Sequence, residues 1–133
     1  MNKSGWLITI LIVVINVTAI IAQWHVLPEI LPAHFDLQGN ASGSMARTML
    51  LLYPLASAVV CLIAYLIAWK KPKLQTGLII LSSGISLVFL SSALVTLTSG
   101  SMPFFMLAEP VILLGAVATF IICTIRSGQK ATK

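Results

Sequence analysis

The sequence predicts an all-α membrane protein: four transmembrane helices, with a proline-containing outward loop between helices one and two. Three observations predict it. First, only 8% of the 133 residues are charged and 59% are hydrophobic, whereas a soluble domain carries about 25% charged residues. Second, the chain holds four continuous apolar runs, each near the roughly 20 residues that a helix needs to cross a bilayer. Third, the basic residues sit as short flanks of those runs, which fits membrane-facing ends and excludes the basic stripe of a nucleic-acid binder. Residues 1–133 thus read as a single four-helix transmembrane domain.

The first span is expected at about 6–24, "WLITILIVVINVTAIIAQW". Lys3 before an apolar core resembles a signal peptide, but the core exceeds the roughly 7–15 residues of a signal and no small-x-small site follows. It is therefore expected to stay as a span. Asn16 lies mid-span, where an amide is expected to find an interhelical partner. Trp6, Trp24 and Trp69 mark span ends, where indole rings favour the interface.

Spans two, three and four are expected at about 48–69, 74–97 and 104–125. Pro54 near the start of the second is a candidate kink. In the third, Gly77, Gly84, Ser91 and Thr98 recur every seven residues, on one helix face. Lipid tails are as apolar as leucine, so close backbone approach through small residues drives helix association. That face, and Gly115 with Thr119 in the fourth span, are expected to meet neighbouring helices, within the chain or in a homo-oligomer; a polar permeation path is the alternative. Cys61 and Cys123 fall inside apolar runs and read as small fillers.

Charge orients the bundle. Lys3, Lys70, Lys71, Lys73, Arg126, Lys130 and Lys133 fall on one side of a four-span arrangement. Arg47 is on the other, with Glu29, Asp36 and Glu109. The positive-inside rule then places both termini in the cytoplasm and the 25–47 loop outside.

That loop, "HVLPEILPAHFDLQGNASGSMAR", gathers most of the polar chemistry. Pro28 and Pro32 disfavour helix, so the first half is expected to be extended. Leu27, Ile30, Leu31 and Phe35 are expected to hold it to the membrane surface or the helix ends. Gly39, Asn40, Ser42, Gly43 and Ser44 read as a flexible return. His25, Glu29, His34 and Asp36 are conceivable zinc ligands, but no standard ligand spacing is present and no cofactor motif appears. His34 is expected to pin the loop by a ring hydrogen bond to a backbone carbonyl or a carboxylate, with ligand contact or pH sensing as the other roles. Glu109, about 7–8 Å down span four from Phe104, is expected to face the bundle and approach Arg47 or His34. The competing expectation starts span four near Pro110 and leaves Glu109 wetted.

The run "LPEILPAHFDLQG" resembles the Leu-Pro-x-x-Ile-Pro-x-His-Phe/Trp-Asn-x-x-Gly signature of a bacterial membrane-protein family, that of SdpI (domain of unknown function 1648). Leu27, Pro28, Pro32, His34, Phe35 and Gly39 carry the resemblance, which extends over about 7–56. Leu31 and Asp36 stand where isoleucine and asparagine are usual. After Gly39 the usual acid and aromatic are missing, and Arg47 stands near the usual lysine. The resemblance implies a multi-pass protein of the bacterial cytoplasmic membrane, with a binding or protective role, namely toxin or peptide immunity or envelope sensing. Its partners would be membrane lipid and a peptide toxin or envelope ligand. A metal-dependent membrane-surface enzyme and a transporter or scaffold component are the alternatives.

Overall fold

A computed structural model describes residues 3–36, 38, 40–98 and 104–129. Lys130 and Lys133 lie outside the described residues, as does Gly39 of the loop motif. The long elements are α1 (Lys3–Gln23), α2 (Leu52–Lys70), α3 (Gln75–Leu97) and α4 (Phe104–Gln129). Short 3-10 turns lead into α2 (Arg47–Leu51) and α3 (Pro72–Leu74). All four helices are long and apolar enough to cross a membrane, so this is a multi-pass membrane protein. The helix bounds lie close to the expected spans; α1 begins three residues earlier and α4 runs on to Gln129. Pro54 falls in the first turn of α2, directly after the 3-10 turn Arg47–Leu51 that leads into it. Pro110 lies inside α4, which is already helical from Phe104.

α3 is the centre of the bundle and packs against all three other helices. The small residues explain this. Gly77, Ser82, Gly84, Ser86, Ser91 and Ala93 are all buried in α3, and small side chains let neighbouring backbones come close. A Cβ on Gly77 would stand 3.0 Å from the Phe120 ring, and one on Gly84 would overlap the Ala116 methyl. The face carrying Gly77 and Gly84 is thus filled by α4 of the same chain. On the α1 side, the Thr9 and Ser83 hydroxyls share a hydrogen bond of 2.6 Å. Only 6% of the α4 span is buried, against 44% for α3, so α4 is the rim and presents most of its apolar surface to lipid.

Two apolar clusters close the ends of the bundle. At the lysine end, Trp6, Ala64, Ala68, Leu78 and Ile79 pack with Tyr65 and Phe120. Trp6 is buried here, edge-on to Tyr65 with centroids 5.3 Å apart. At this end of the span the Trp6 ring turns into the bundle, where the small Ala64 and Ala68 of α2 leave room. At the opposite end, Ile20, Leu50, Ala93 and Leu97 receive Leu27 and Leu31 from the loop.

Asn16 departs from expectation. It is fully buried, yet neither amide atom has a hydrogen-bond partner; buried Ser57 and Ser86 hydroxyls are likewise unpartnered. Measured from the Trp6–Tyr65 contact at about 1.5 Å per residue, Asn16 lies roughly 15 Å and Ser57 roughly 12 Å along the bundle. They share a level without bonding. A desolvated, unpaired amide costs about 1–3 kcal/mol. Asn16→Val, similar in volume and apolar, is therefore expected to raise the thermal midpoint of the detergent-purified protein. A lowered midpoint would show that Asn16 gains more from its surroundings than the unpaired atoms indicate.

Candidate functional site

The loop between α1 and α2 folds as a β-hairpin. β1 (Ile30–Phe35) and β2 (Ala41–Ala46) are antiparallel, with Leu31 opposite Met45, Pro32 opposite Ser44 and His34 opposite Ser42. The extended first half matches the effect of the prolines. The flexible return expected over 39–44 is corrected, since 41–46 is a strand. The cause is local side-chain chemistry. Asp36 Oδ1 accepts from the backbone N–H groups of Gln38 (2.9 Å) and Asn40 (2.8 Å), and Oδ2 accepts from the Asn40 amide at 2.9 Å. The Asp36 N–H in turn donates to the Asn40 carbonyl at 3.0 Å. This Asx-type turn reverses the chain and sets the register. Gly43 has φ +78°, a conformation open to glycine and strained for a side chain. Pro32 is tolerated because a two-stranded sheet is all edge.

The hairpin is docked at its base. Leu31 and its cross-strand partner Met45 sit over Ile20, Leu50 and Leu97. Beside them the Arg47 guanidinium lies 4.8 Å from the centroid of the Trp24 ring. Its Nη1 donates to the carbonyls of Trp24 (3.2 Å) and Leu27 (3.0 Å). The Arg47 backbone N–H donates to the Glu29 carbonyl at 2.8 Å. Arg47 therefore clamps the end of α1, where carbonyls are left over and positive charge is favoured.

Docking in this way borders a half-open cavity of about 210 Å³. Its walls are Ala33, His34 and Phe35 of β1, Tyr53 of α2, Ser92, Val95 and Thr96 of α3, and Glu109 of α4. The Ser92 hydroxyl donates to Glu109 Oε1 at 2.7 Å, which ties α3 to α4 and aims the carboxylate. The Thr96 hydroxyl donates to the Ser92 carbonyl at 3.1 Å. One carboxylate, one imidazole, one phenol and hydroxyls thus face a small space roofed by the hairpin. Such a set can accept hydrogen bonds from a cation or donate to a polar group.

Several expectations are corrected by this geometry. Arg47 does not approach Glu109, because its guanidinium is committed to α1 carbonyls and Trp24. The His34 ring has no hydrogen-bond partner among the described residues and so does not pin the loop; Leu31, Met45 and Arg47 do. His34 and Glu109 line one cavity without bonding each other. His25, on the turn after α1, and Glu29 are exposed, and the Asp36 carboxylate is taken by its turn. Among the described residues no group of three His, Cys, Asp or Glu side chains could hold a metal ion. On α4, a Cβ at Gly115 would have nothing within 4 Å, and the Thr119 hydroxyl donates to the Gly115 carbonyl at 2.8 Å. Among the described residues no other helix packs onto Gly115.

Tyr53, Thr96 and the role of Ser92 do not follow from the sequence reading. The signal available was the polar spacing Ser92–Thr96 in the last turns of an otherwise apolar helix.

Residues 11–58 match the family model described as Domain of unknown function (DUF1648). The matched segment spans α1 from Leu11, the hairpin, Arg47 and the first turns of α2. It therefore contains the clamp and the His34 and Tyr53 walls of the cavity, while Ser92 and Glu109 come from outside it. No curated protein and no solved structure matched the chain.

Proposed function

We propose that the protein is a non-catalytic receptor of the bacterial cytoplasmic membrane, which binds a peptide toxin or other envelope ligand at the hairpin end and so protects or informs the cell. The positive-inside rule supports an outward hairpin and cytoplasmic termini, because every lysine lies at the start of α1, around the α2–α3 turn or beyond α4. The resemblance of the loop to the SdpI family supports immunity as the form of protection.

The observation that carries the reading is the cavity itself. Four separate elements bring His34, Tyr53, Ser92 and Glu109 to one space. At about 210 Å³ it is smaller than the roughly 300–1,000 Å³ of a drug-sized pocket. It suits a single group of a larger ligand, such as a peptide amine or lysine side chain, with the remainder lying on the hairpin. Ser92 occupies Glu109 Oε1, and Oε2 remains able to receive a cationic donor.

A charge-assisted hydrogen bond contributes about 1.5–3 kcal/mol. Glu109→Gln is thus expected to weaken ligand binding about ten- to a hundredfold, and His34→Ala to weaken it less, with the protein still inserted. The measurement is survival of cells carrying each variant against a panel of cationic membrane-active peptides, with protein level checked by immunoblot. Equal killing with and without the unaltered protein across the panel would remove the immunity reading.

A further inference from the structure

We propose a second site at the lysine end, a cleft that holds the headgroup of an anionic phospholipid. The cleft, about 490 Å³, lies between the α2–α3 turn and the last turns of α4, and Lys70, Lys71 and Lys73 line it together with Pro72, Leu74 and Thr124. Its far wall is Ser127 and Gly128.

The site is an open groove whose backbone frame is held together, with exposed lysines at its rim. The Ser127 hydroxyl shares its one proton between the Lys73 carbonyl at 2.9 Å and the Cys123 carbonyl at 2.8 Å, which links the end of α4 to the turn. The Thr124 hydroxyl donates to the Phe120 carbonyl. With these hydroxyl protons committed to backbone, the donors left for an anion are the lysine ammonium groups. Arg126 adds a further positive charge on the same end of α4.

Charge complementarity selects an anion. All the acids, Glu29, Asp36 and Glu109, belong to the hairpin end. Glu109 is seventeen residues before Arg126 on α4, about 25 Å away along the helix. That exceeds the Debye length of about 8 Å at physiological salt, so none of these acids neutralises the cleft. Position selects a lipid. The cleft stands at the ends of three membrane-crossing helices, at headgroup depth, where basic pockets between helices bind anionic headgroups. Pro72, Leu74 and the lysine stems give apolar walls for the glycerol region. Below them exposed Ile121 and Ile125 continue an apolar track for an acyl chain.

The test uses the full chain in zwitterionic phosphatidylcholine nanodiscs, titrated with phosphatidylglycerol. Lipid retained is read by native mass spectrometry, and stabilisation is read by the thermal midpoint. Phosphatidylglycerol is expected to be retained and to raise the midpoint, while further phosphatidylcholine and inorganic phosphate do neither. At about 1 kcal/mol per lysine near a headgroup, K70Q/K71Q/K73Q is expected to bind about a hundredfold more weakly. Because those lysines also set orientation, Gly128→Trp serves as the second variant. Gly128 lines the cleft and a Cβ there meets nothing within 4 Å, so the indole has room beside the headgroup position; the variant keeps every charge and is expected to obstruct the cleft and weaken retention. Equal retention of both lipids, binding by Gly128→Trp as strong as by the unaltered chain, or full displacement by inorganic phosphate would each overturn the proposal. None of these results bears on the hairpin-end cavity, which shares no residue with this cleft.

Discussion

Gly84→Leu is expected to break the α3–α4 contact and destabilise the protein more than any other single change considered. The contact follows one seam. Gly77 faces Phe120 and Cys123, Gly84 faces Ala116, and Ser92 bonds Glu109. On each antiparallel helix these positions are about two turns apart, so one stripe of α3 meets one stripe of α4 over several turns. At the centre of the seam even a single Cβ on Gly84 would overlap the Ala116 methyl. Gly84→Ala is therefore expected to cost about 1–3 kcal/mol by overpacking, and Gly84→Leu more. Removing the opposing methyl is expected to restore most of the loss, so Gly84→Ala with Ala116→Gly should melt above Gly84→Ala alone. Gly115→Ala, where a Cβ meets nothing within 4 Å, is the control and should be near neutral. Thermal unfolding of the detergent-purified variants checks the series. The seam also reaches the cavity, since pushing α4 away at Ala116 draws Glu109 from Ser92 two turns further along. Gly84→Leu should therefore lose ligand binding along with stability. A midpoint for Gly84→Ala equal to that of the unaltered protein would mean that α4 is not seated on α3 as described.

The same residues show what was legible in the sequence and what was not. The four helices were legible because a bilayer demands long apolar runs and leaves few alternatives. The seven-residue recurrence of Gly77, Gly84 and Ser91 was visible too, because a packed helix face must repeat at that interval. What it could not name was the partner, since α4 and a second copy would satisfy the same stripe. The hairpin was hidden for another reason. "ASGSMA" has neither alternation nor β-branched residues; it becomes a strand because Asp36 folds the chain back onto "ILPAHF" and Met45 finds Leu31. Register there is a product of one carboxylate and of tertiary packing. Glu109 does face the bundle and find a partner, but that partner is the Ser92 hydroxyl and not a basic side chain. Arg47 and His34 were the basic candidates at its end of the bundle, yet a serine hydroxyl directly across the seam was closer, and Arg47 had carbonyls and an indole ring at hand. Reading opposite charges as partners fails where the geometry of helix ends already supplies acceptors.

Arg47→Met is expected to release the hairpin while leaving the four spans in place. The guanidinium gives two charge-assisted hydrogen bonds to the Trp24 and Leu27 carbonyls, in a class worth about 1.5–3 kcal/mol each before desolvation and entropy are counted. It also gives a cation–π contact to Trp24, worth about 0.5–1 kcal/mol at a partly exposed site. Methionine keeps much of the stem volume and none of these contacts, so a local loss of about 2–4 kcal/mol is expected. Lysine is the discriminating variant. It retains the charge and can reach one carbonyl, but it cannot hold two with a planar group stacked on indole, and it should recover only part of the loss. The two effects separate by hydrogen–deuterium exchange. Amides of 30–46 should exchange faster in Arg47→Met, with Arg47→Lys between it and the unaltered protein, while amides within α2 and α3 stay protected. Because β1 carries His34 and Phe35 over the cavity, the variant should also lose ligand binding with Glu109 and Ser92 untouched. That separates a roof held by Arg47 from a cavity built by α3 and α4 alone: unchanged exchange over 30–46 would mean that Leu31 and Met45 suffice to seat the hairpin and that the arginine clamp is dispensable.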